Sequence, residues 1–425
     1  MNRLKLAVAA ALTLGNAHAG TLALTHARIH TVSTGVLEDA TLVIRNDAIE
    51  ALGKDVVIPD GAQVIDTKGA VITPGLFDAY TQIGLDEVTA VDETNDSGSN
   101  NPRYSAALDV VDALNPRSTL IPINRIEGIT SAMSAPVSGA EGPLFAGRGA
   151  VISLGTLDNF VTKPQAAMFL SLGEVGVARI KGGRAALLLA LREALEEARE
   201  LGSTSPVQRP AQLGLLDARA LKAVLDGSMP LVVDVNRAAD IRVLLKLADD
   251  YGLKLVLHGA AEAHLLAAEL ASRQVPVILD PTLDLPARFE ALASRPDAAA
   301  ILFKAGVRLA FSGDEPAAGS HNSRNIRQLA GNAVARGLPW DAALAAITAN
   351  PALIYGVDST LGTLEVGKKA SFVVWDGDPL QVTTSAVQVY AAGRALPMVS
   401  RQTLLRDRYL QRQQASQKAA PATRP

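Results

Sequence analysis

Between residues 129 and 354 short apolar runs alternate with amphipathic helical stretches, and this alternation limits the fold more than any other feature of the chain. Ile129–Ser134 and residues 150–154 read as strands, as do 231–234, 254–258, 276–280 and 308–311. Residues 184–201 read as a long helix, with Leu187, Leu188, Leu191 and Leu195 on one side and charges on the other. Ala238–Tyr251, stopped by Gly252, and the stretches 261–273, Ala298–Ala305 and 323–336 supply helices between the later strands, and 340–354 is one more. Strand–helix units repeated at this length imply a parallel sheet. Two arrangements satisfy that, a doubly wound sheet and a closed (β/α)8 barrel. No G-x-G-x-x-G or Walker A pattern follows any strand, which removes the main sequence support for nucleotide binding and favours the barrel.

The two ends of the chain have a different rhythm. From Leu22 to Asp66 the pattern is that of short strands, with a hairpin turn at Arg45-Asn46-Asp47 and another turn at Pro59-Asp60-Gly61. Such strands bury no core by themselves. A matching set lies at residues 361–394, with Phe372-Val373-Val374-Trp375, a turn at 376–379, and Val387-Gln388-Val389-Tyr390. Two segments break the pattern between and after them. Residues 86–118 form a long polar loop that holds Asp86, Glu87, Asp92, Glu93 and Asp96, and the tail from Arg401 is rich in Gln, Arg, Ala and Pro.

The 425 residues are 48% hydrophobic and 20% charged, an ordinary globular balance. A net charge of -3 without a basic stripe gives no nucleic-acid footprint. The chain has no cysteine, so disulfides, thiolate ligands and a thiolate nucleophile are excluded. Arg3 and Lys5 precede an apolar run at residues 6–14, and Ala17-His18-Ala19 follows with small residues at the positions a signal peptidase reads. We therefore expect a signal peptide over residues 1–19 and an exported protein, periplasmic or secreted. The apolar run is about half of the ~20 residues needed to span a bilayer.

Residues 71–85 read Val-Ile-Thr-Pro-Gly-Leu-Phe-Asp-Ala-Tyr-Thr-Gln-Ile-Gly-Leu, a strand that follows a sharp corner. This stretch resembles the first barrel strand of the metal-dependent amidohydrolase superfamily, where the segment usually reads Pro-Gly-Leu-Ile-Asp-x-His-x-His, and residues 235–241, Val-Asn-Arg-Ala-Ala-Asp-Ile, resemble the fifth-strand segment of its imidazolonepropionase-like branch. Residues 361–376, Leu-Gly-Thr-Leu-Glu-Val-Gly-Lys-Lys-Ala-Ser-Phe-Val-Val-Trp-Asp, resemble that superfamily's closing signature, with Ser371 for its usual Asp. The resemblance covers about residues 20–397. It implies a (β/α)8 TIM-like barrel over 73–359 and a small β-sandwich built from 20–72 and 360–398, with a polar tail over 399–425.

Barrel active sites lie at the C-terminal ends of the strands, so polar residues that close apolar runs are the candidates. Asp234, His258 and Asp280 each close one, and Asp314 follows Phe311-Ser312-Gly313. The resemblance gives them roles. Asp234 stands where the fifth-strand His belongs, His258 matches the sixth-strand His, and Asp314 matches the eighth-strand general acid/base. Glu174, in Leu172-Gly173-Glu174, matches a carboxylate ligand of some relatives. Tyr80 and Gln82 replace the first-strand His pair, so the two-metal site is expected to be absent. Glu174, Asp234 and His258 are the expected ligands of one divalent metal ion, zinc first, with manganese or iron also suited to one nitrogen and two carboxylates. Tyr80, Gln82, Arg237 and His321 are the expected substrate contacts. Plainer roles compete: a strand cap for His258, a helix-start residue paired with Arg237 for Asp234, and a turn former for Asp280 before Pro281.

The expected function is an exported hydrolase of a non-peptide C–N bond, in an amide or cyclic amide, that acts on a small molecule through one metal-activated water. The alternative is a barrel without metal or catalysis that serves as a binding or partner subunit, with a related amidohydrolase chain or a second copy as its partner.

Overall fold

The computed structural model describes residues 20–419 apart from 89, 102, 139–140, 156, 202–212, 284, 286–287 and 314–319, and of residues 321 and 416–419 the backbone alone. The expected signal peptide lies outside the described residues.

One sheet joins both chain ends. Its N-terminal strands are β1 (Thr21–His30), β2 (Val36–Arg45), β3 (Ala48–Gly53), β4 (Gln63–Asp66) and β5 (Val71–Pro74). Its C-terminal strands are β14 (Phe372–Trp375), β15 (Ala386–Ala391) and β16 (Arg394–Ala395), and the order is β16-β15-β14-β5-β1-β2-β3 with β4 beside β1. The junction is the antiparallel pair β5–β14, in register from Phe372↔Pro74 to Trp375↔Val71. Alternation puts Leu24, Ile29, Leu42, Ile44, Phe372 and Val374 into one core, closed by Phe372 stacked on Tyr390 at 4.4 Å.

The second sheet is the barrel. Its strands are β6 (Leu76–Thr81), β7 (Ile129–Ser134), β8 (Phe145–Ser153), β9 (Val161–Ser171), β10 (Leu231–Val235), β11 (Leu255–Gly259), β12 (Val277–Leu279) and β13 (Leu309–Phe311), adjacent in chain order. β13 comes back against β6. The helices are α1 (Leu120–Arg125), α2 (Gly173–Ile180), α3 (Arg184–Glu200), α4 (Leu215–Leu225), α5 (Ala238–Tyr251), α6 (Ala267–Ser272), α7 (Ala298–Ala305), α8 (Ile326–Ala335), α9 (Trp340–Ala346), α10 (Ala349–Ile354) and α11 (Arg401–Ala419). The fold is a TIM-like barrel beside a sheet made of both chain ends, as expected from the strand–helix rhythm.

Two details depart from that expectation. β8 runs antiparallel to both β7 and β9. The connections on either side of it are too short for a crossover, which takes a dozen or more residues. The helix expected over 340–354 is two helices, α9 and α10. Pro351 has no N–H for the carbonyl of Ile347, and that carbonyl instead accepts from Phe77 N–H at 2.8 Å, which stitches the break to the barrel wall.

The inward residues form one cluster with a contribution from every barrel strand: Phe77, Met133, Val151, Phe169, Val232, Val256, Ile278 and Ala310. The alternate residues Leu231, Val233, Leu255 and Leu257 face the helices and belong to the outer core. These strands are buried on both faces, so they read as unbroken apolar runs.

Candidate functional site

The two-residue period of a strand places the site. Val232 and Val256 point into the barrel, so Asp234 and His258 point there too, one step nearer the mouth. β10 and β11 are parallel with Asp234↔His258 as register partners, so the two side chains stand side by side. His258 Nδ1 lies 3.9 Å from Asp234 Oδ1. Gly259, at φ +74, keeps this corner open, because a Cβ there would come within 3.1 Å of Asp234 Oδ1 and 2.9 Å of Asn236 Oδ1.

Tyr80 covers His258. Its ring stacks on His258 with centroids 4.0 Å apart and meets the edge of Phe169 at 5.7 Å. Its main chain is pinned, since Ser312 Oγ donates to Tyr80 O at 2.6 Å and Tyr80 N–H donates to Asp78 Oδ1 at 3.2 Å.

Burial moves the two ionisations in opposite directions. Desolvation pushes the Asp234 carboxyl up to about 6; the Glu290 charge adds to that, and Arg288 and Arg179 oppose it. Desolvation pulls the His258 imidazole down to about 4. The acid therefore becomes charged only above the pH at which the imidazole has lost its charge. At 3.9 Å the two are neighbours, yet at no pH are both mainly charged, and the contact is not an ion pair.

Behind Asp234 is a carboxylate that the sequence does not announce. The Glu290 side chain is 1% exposed and accepts from Glu174 N–H at 2.9 Å, from Asn236 Nδ2 at 3.3 Å and from Arg184 Nη2 at 3.3 Å. It ties the start of α2 to the loop after β10. No motif marks it; it sits in a short 3-10 helix, Phe289–Ala291.

The other expected site residues are placed as follows. Glu174 is half-buried in the first turn of α2, and it is not among the charges that act on Asp234. Arg237 donates to Asp240 Oδ1 at 2.6 Å at the start of α5, and Asp240 also holds Arg184 at 2.8 Å, so its guanidinium is engaged by its own helix. Gln82 is buried, and its N–H donates to Ser320 Oγ at 2.8 Å, which joins the end of β6 to the turn that contains His321. Asp314 lies outside the described residues, and so does the His321 side chain. Asp280 accepts from Thr282 N–H at 2.8 Å, the turn-forming role. A cavity of about 700 Å³ lies at the opposite end of the barrel, lined by Lys163, Lys254 and Arg308 near the strand starts.

The comparisons with known proteins agree with this architecture. The amidohydrolase family model matches residues 190–400. An imidazolonepropionase from Sphingopyxis alaskensis is 26% identical over 402 residues, 84% of this chain and 92% of that protein. The chain belongs to the amidohydrolase superfamily. The amidohydrolase tasK of Hapsidospora irregularis is 24% identical over 375 residues, but the match takes in 80% of this amidohydrolase-superfamily chain and 37% of that relative. Among solved structures an amidohydrolase from Thermotoga maritima superposes with a TM-score of 0.78 at 24% identity, over 88% of this chain and 99% of the other.

The superfamily is generally metal-dependent, and a solved neighbour, an adenosine deaminase from Xanthomonas campestris, is described with bound zinc (TM-score 0.52, 16% identity). Among the described residues the donors do not complete such a centre. His258 Nδ1 is buried without a hydrogen-bond partner and faces a carboxylate oxygen, which makes two donors. Among the described residues no three His, Asp or Glu side chains come together to hold a metal ion, so Glu174 is not brought into a set with Asp234 and His258. The first-strand positions hold a phenol and an amide, and the phenol's ring lies against the imidazole.

Proposed function

We propose that this amidohydrolase-superfamily member is an exported hydrolase of a non-peptide C–N bond in a small amide or cyclic amide, with Asp234 and His258 as its working pair. One observation carries the reading. Two inward side chains at the mouth, 3.9 Å apart, have ionisations pushed to opposite sides, so that near neutral pH the carboxylate is a base and the imidazole is neutral.

The donor set for a divalent cation is incomplete on the described residues, and no step here runs through one. Asp234 takes a proton from water as its oxygen attacks the amide carbon. The tetrahedral oxygen that forms is stabilised by the N–H of neutral His258. Asp234 then returns the proton to the leaving nitrogen as the C–N bond breaks, which leaves a carboxylic acid and an amine. The field of Arg179 and Arg288 at Asp234 favours substrates that carry a negative group.

The test is hydrolysis of a panel of N-acyl amino acids, hydantoins and imidazolones by the mature chain, read as amine release for the open amides and as ring opening for the cyclic ones. Turnover that Asp234→Asn lowers by about 10²–10⁴-fold is expected for loss of a general base. Turnover that survives both Asp234→Asn and His258→Gln sinks the assignment. Export is checked by N-terminal sequencing of the cell-derived protein, with residue 20 expected first.

The Tyr80 ring stacked on His258 supports a second reading, a non-catalytic subunit of a related amidohydrolase. Under it the purified chain turns over nothing on the panel, and a related amidohydrolase co-purifies with it.

A further inference from the structure

α11 is a helix of 19 residues, about 28 Å long at 1.5 Å per residue, with little to lie on. Ser400 and Thr403 cap its start reciprocally: Ser400 N–H donates to Thr403 Oγ1 at 2.9 Å, and Thr403 N–H to Ser400 Oγ at 3.3 Å. Its beginning touches α1, and every residue from Arg406 to Ala415 is exposed. Its apolar side chains Leu404, Tyr409 and Leu410 are exposed rather than packed, and most helical stability in proteins comes from packing one face against a partner. Its charge distinguishes it from the body. Residues 401–425 carry six Lys or Arg against one Asp, whereas residues 20–400 carry 32 Lys or Arg against 42 Asp or Glu.

The complementary surface is on the same side of the molecule. No Lys or Arg occurs between Lys68 and Arg103, and within that span the loop after β6 exposes Asp92, Glu93 and Asp96. Glu87 of this loop accepts from Thr119 N–H and Thr119 Oγ1, both at 2.9 Å, which fixes the loop to the start of α1, the helix that α11 touches. Among the described residues no ion pair joins Arg401, Arg406 or Arg408 to the loop within one chain, and Arg406 pairs with its neighbour Asp407.

We infer that α11 docks on the acidic loop of a second copy of this chain. The two signs flank one helix, so a two-fold axis beside α1 sets each basic helix against the other copy's acidic loop, and both contacts form at once. The occupant is a second copy because the body of this chain supplies the required charge.

Sedimentation of the mature chain tests this. The wild type is expected to dimerise, with a Kd that rises about tenfold or more between 0.05 and 0.5 M NaCl as screening tightens. The triple variants Arg406→Glu, Arg408→Glu, Arg412→Glu and Asp92→Lys, Glu93→Lys, Asp96→Lys are each expected to be monomeric. An equimolar mixture of the two is expected to restore the dimer, because each then offers what the other needs. A wild type that stays monomeric, triple variants that dimerise like the wild type, or a mixture that stays monomeric each overturns the inference. A monomeric wild type that sediments with anionic phospholipid vesicles also overturns it and gives the helix to a lipid surface.

Discussion

The opposed ionisations of Asp234 and His258 make a measurable prediction about stability. A carboxyl raised from 3.8 to about 6 on folding means that the folded state holds a proton the unfolded state has already released. Its contribution is fully present below pH 3.8 and is lost as pH rises through 6, in all about 3 kcal/mol at 1.36 kcal/mol per unit. An imidazole lowered from 6.5 to about 4 has the reverse effect. The folded state resists a proton that the unfolded state accepts, so about 3 kcal/mol is lost as pH falls from 6.5 to 4. Between pH 4 and 6 the two slopes nearly cancel in the wild type.

Each single substitution removes one slope and exposes the other. Burial is the sole cause acting on His258, so Asp234→Asn leaves it in place. Urea unfolding followed through Trp375, which is fully buried, gives stability at each pH. The wild-type minus Asp234→Asn difference is expected to fall by about 3 kcal/mol from pH 4 to 6.5, and the wild-type minus His258→Gln difference to rise by a similar amount. A carboxylate that ligates a cation or sits in an ion pair is held below its usual pKa, and its difference profile rises with pH instead. A flat or rising Asp234 profile therefore refutes the reasoning. Repeating the Asp234 series after zinc loading asks by sign alone whether that residue becomes a ligand.

Three further outcomes follow from the packing. Gly259→Ala crowds Asn236 and Asp234 at a positive φ and is expected to cost about 1–3 kcal/mol in urea melts. Glu290→Ala leaves Asn236 Nδ2 and the Glu174 N–H without their buried acceptor and is expected to cost about 2–4 kcal/mol by the same assay, with Glu290→Gln costing less. Tyr355→Phe removes the fully buried bond from the Tyr355 hydroxyl to Ala79 O, 2.6 Å long, and is expected to lower stability by about 1–2 kcal/mol.

The barrel was readable where strands were buried on both faces, since Leu231–Val235 and Leu255–Gly259 are apolar runs closed by one polar residue. The same parity singled out Asp234 and His258. β9 was harder to see, because its first half alternates poorly and Gln165 sits at φ +48 within it. The antiparallel course of β8 depends on connection length rather than on its own residues. Glu290 was invisible because its role comes from three donors on two distant segments, and local pattern carries no trace of such a contact. Arg237 looked free at a strand end, and only the fold shows that Asp240, one turn on, engages it.

Tyr80 and the displaced ionisations belong to one arrangement. In a barrel of this family a cation at the mouth would hold any inward carboxylate ionised. Here the first strand offers the Tyr80 ring, which is apolar on its face and packs against His258 at 4.0 Å. That ring lies on the imidazole and adds to its burial, while at Asp234 the nearby cations Arg179 and Arg288 only partly offset the cost of burial. Burial thus leaves Asp234 and His258 as an acid and a base whose ionisations are held apart. Tyr80→Ala tests this link directly. If the ring supplies the desolvation, its removal moves the His258 titration upward and the Asp234 titration downward, toward their ordinary values, as followed by NMR of the imidazole and by the stability profile. Titrations that do not move in Tyr80→Ala would assign the shifts to the barrel walls alone.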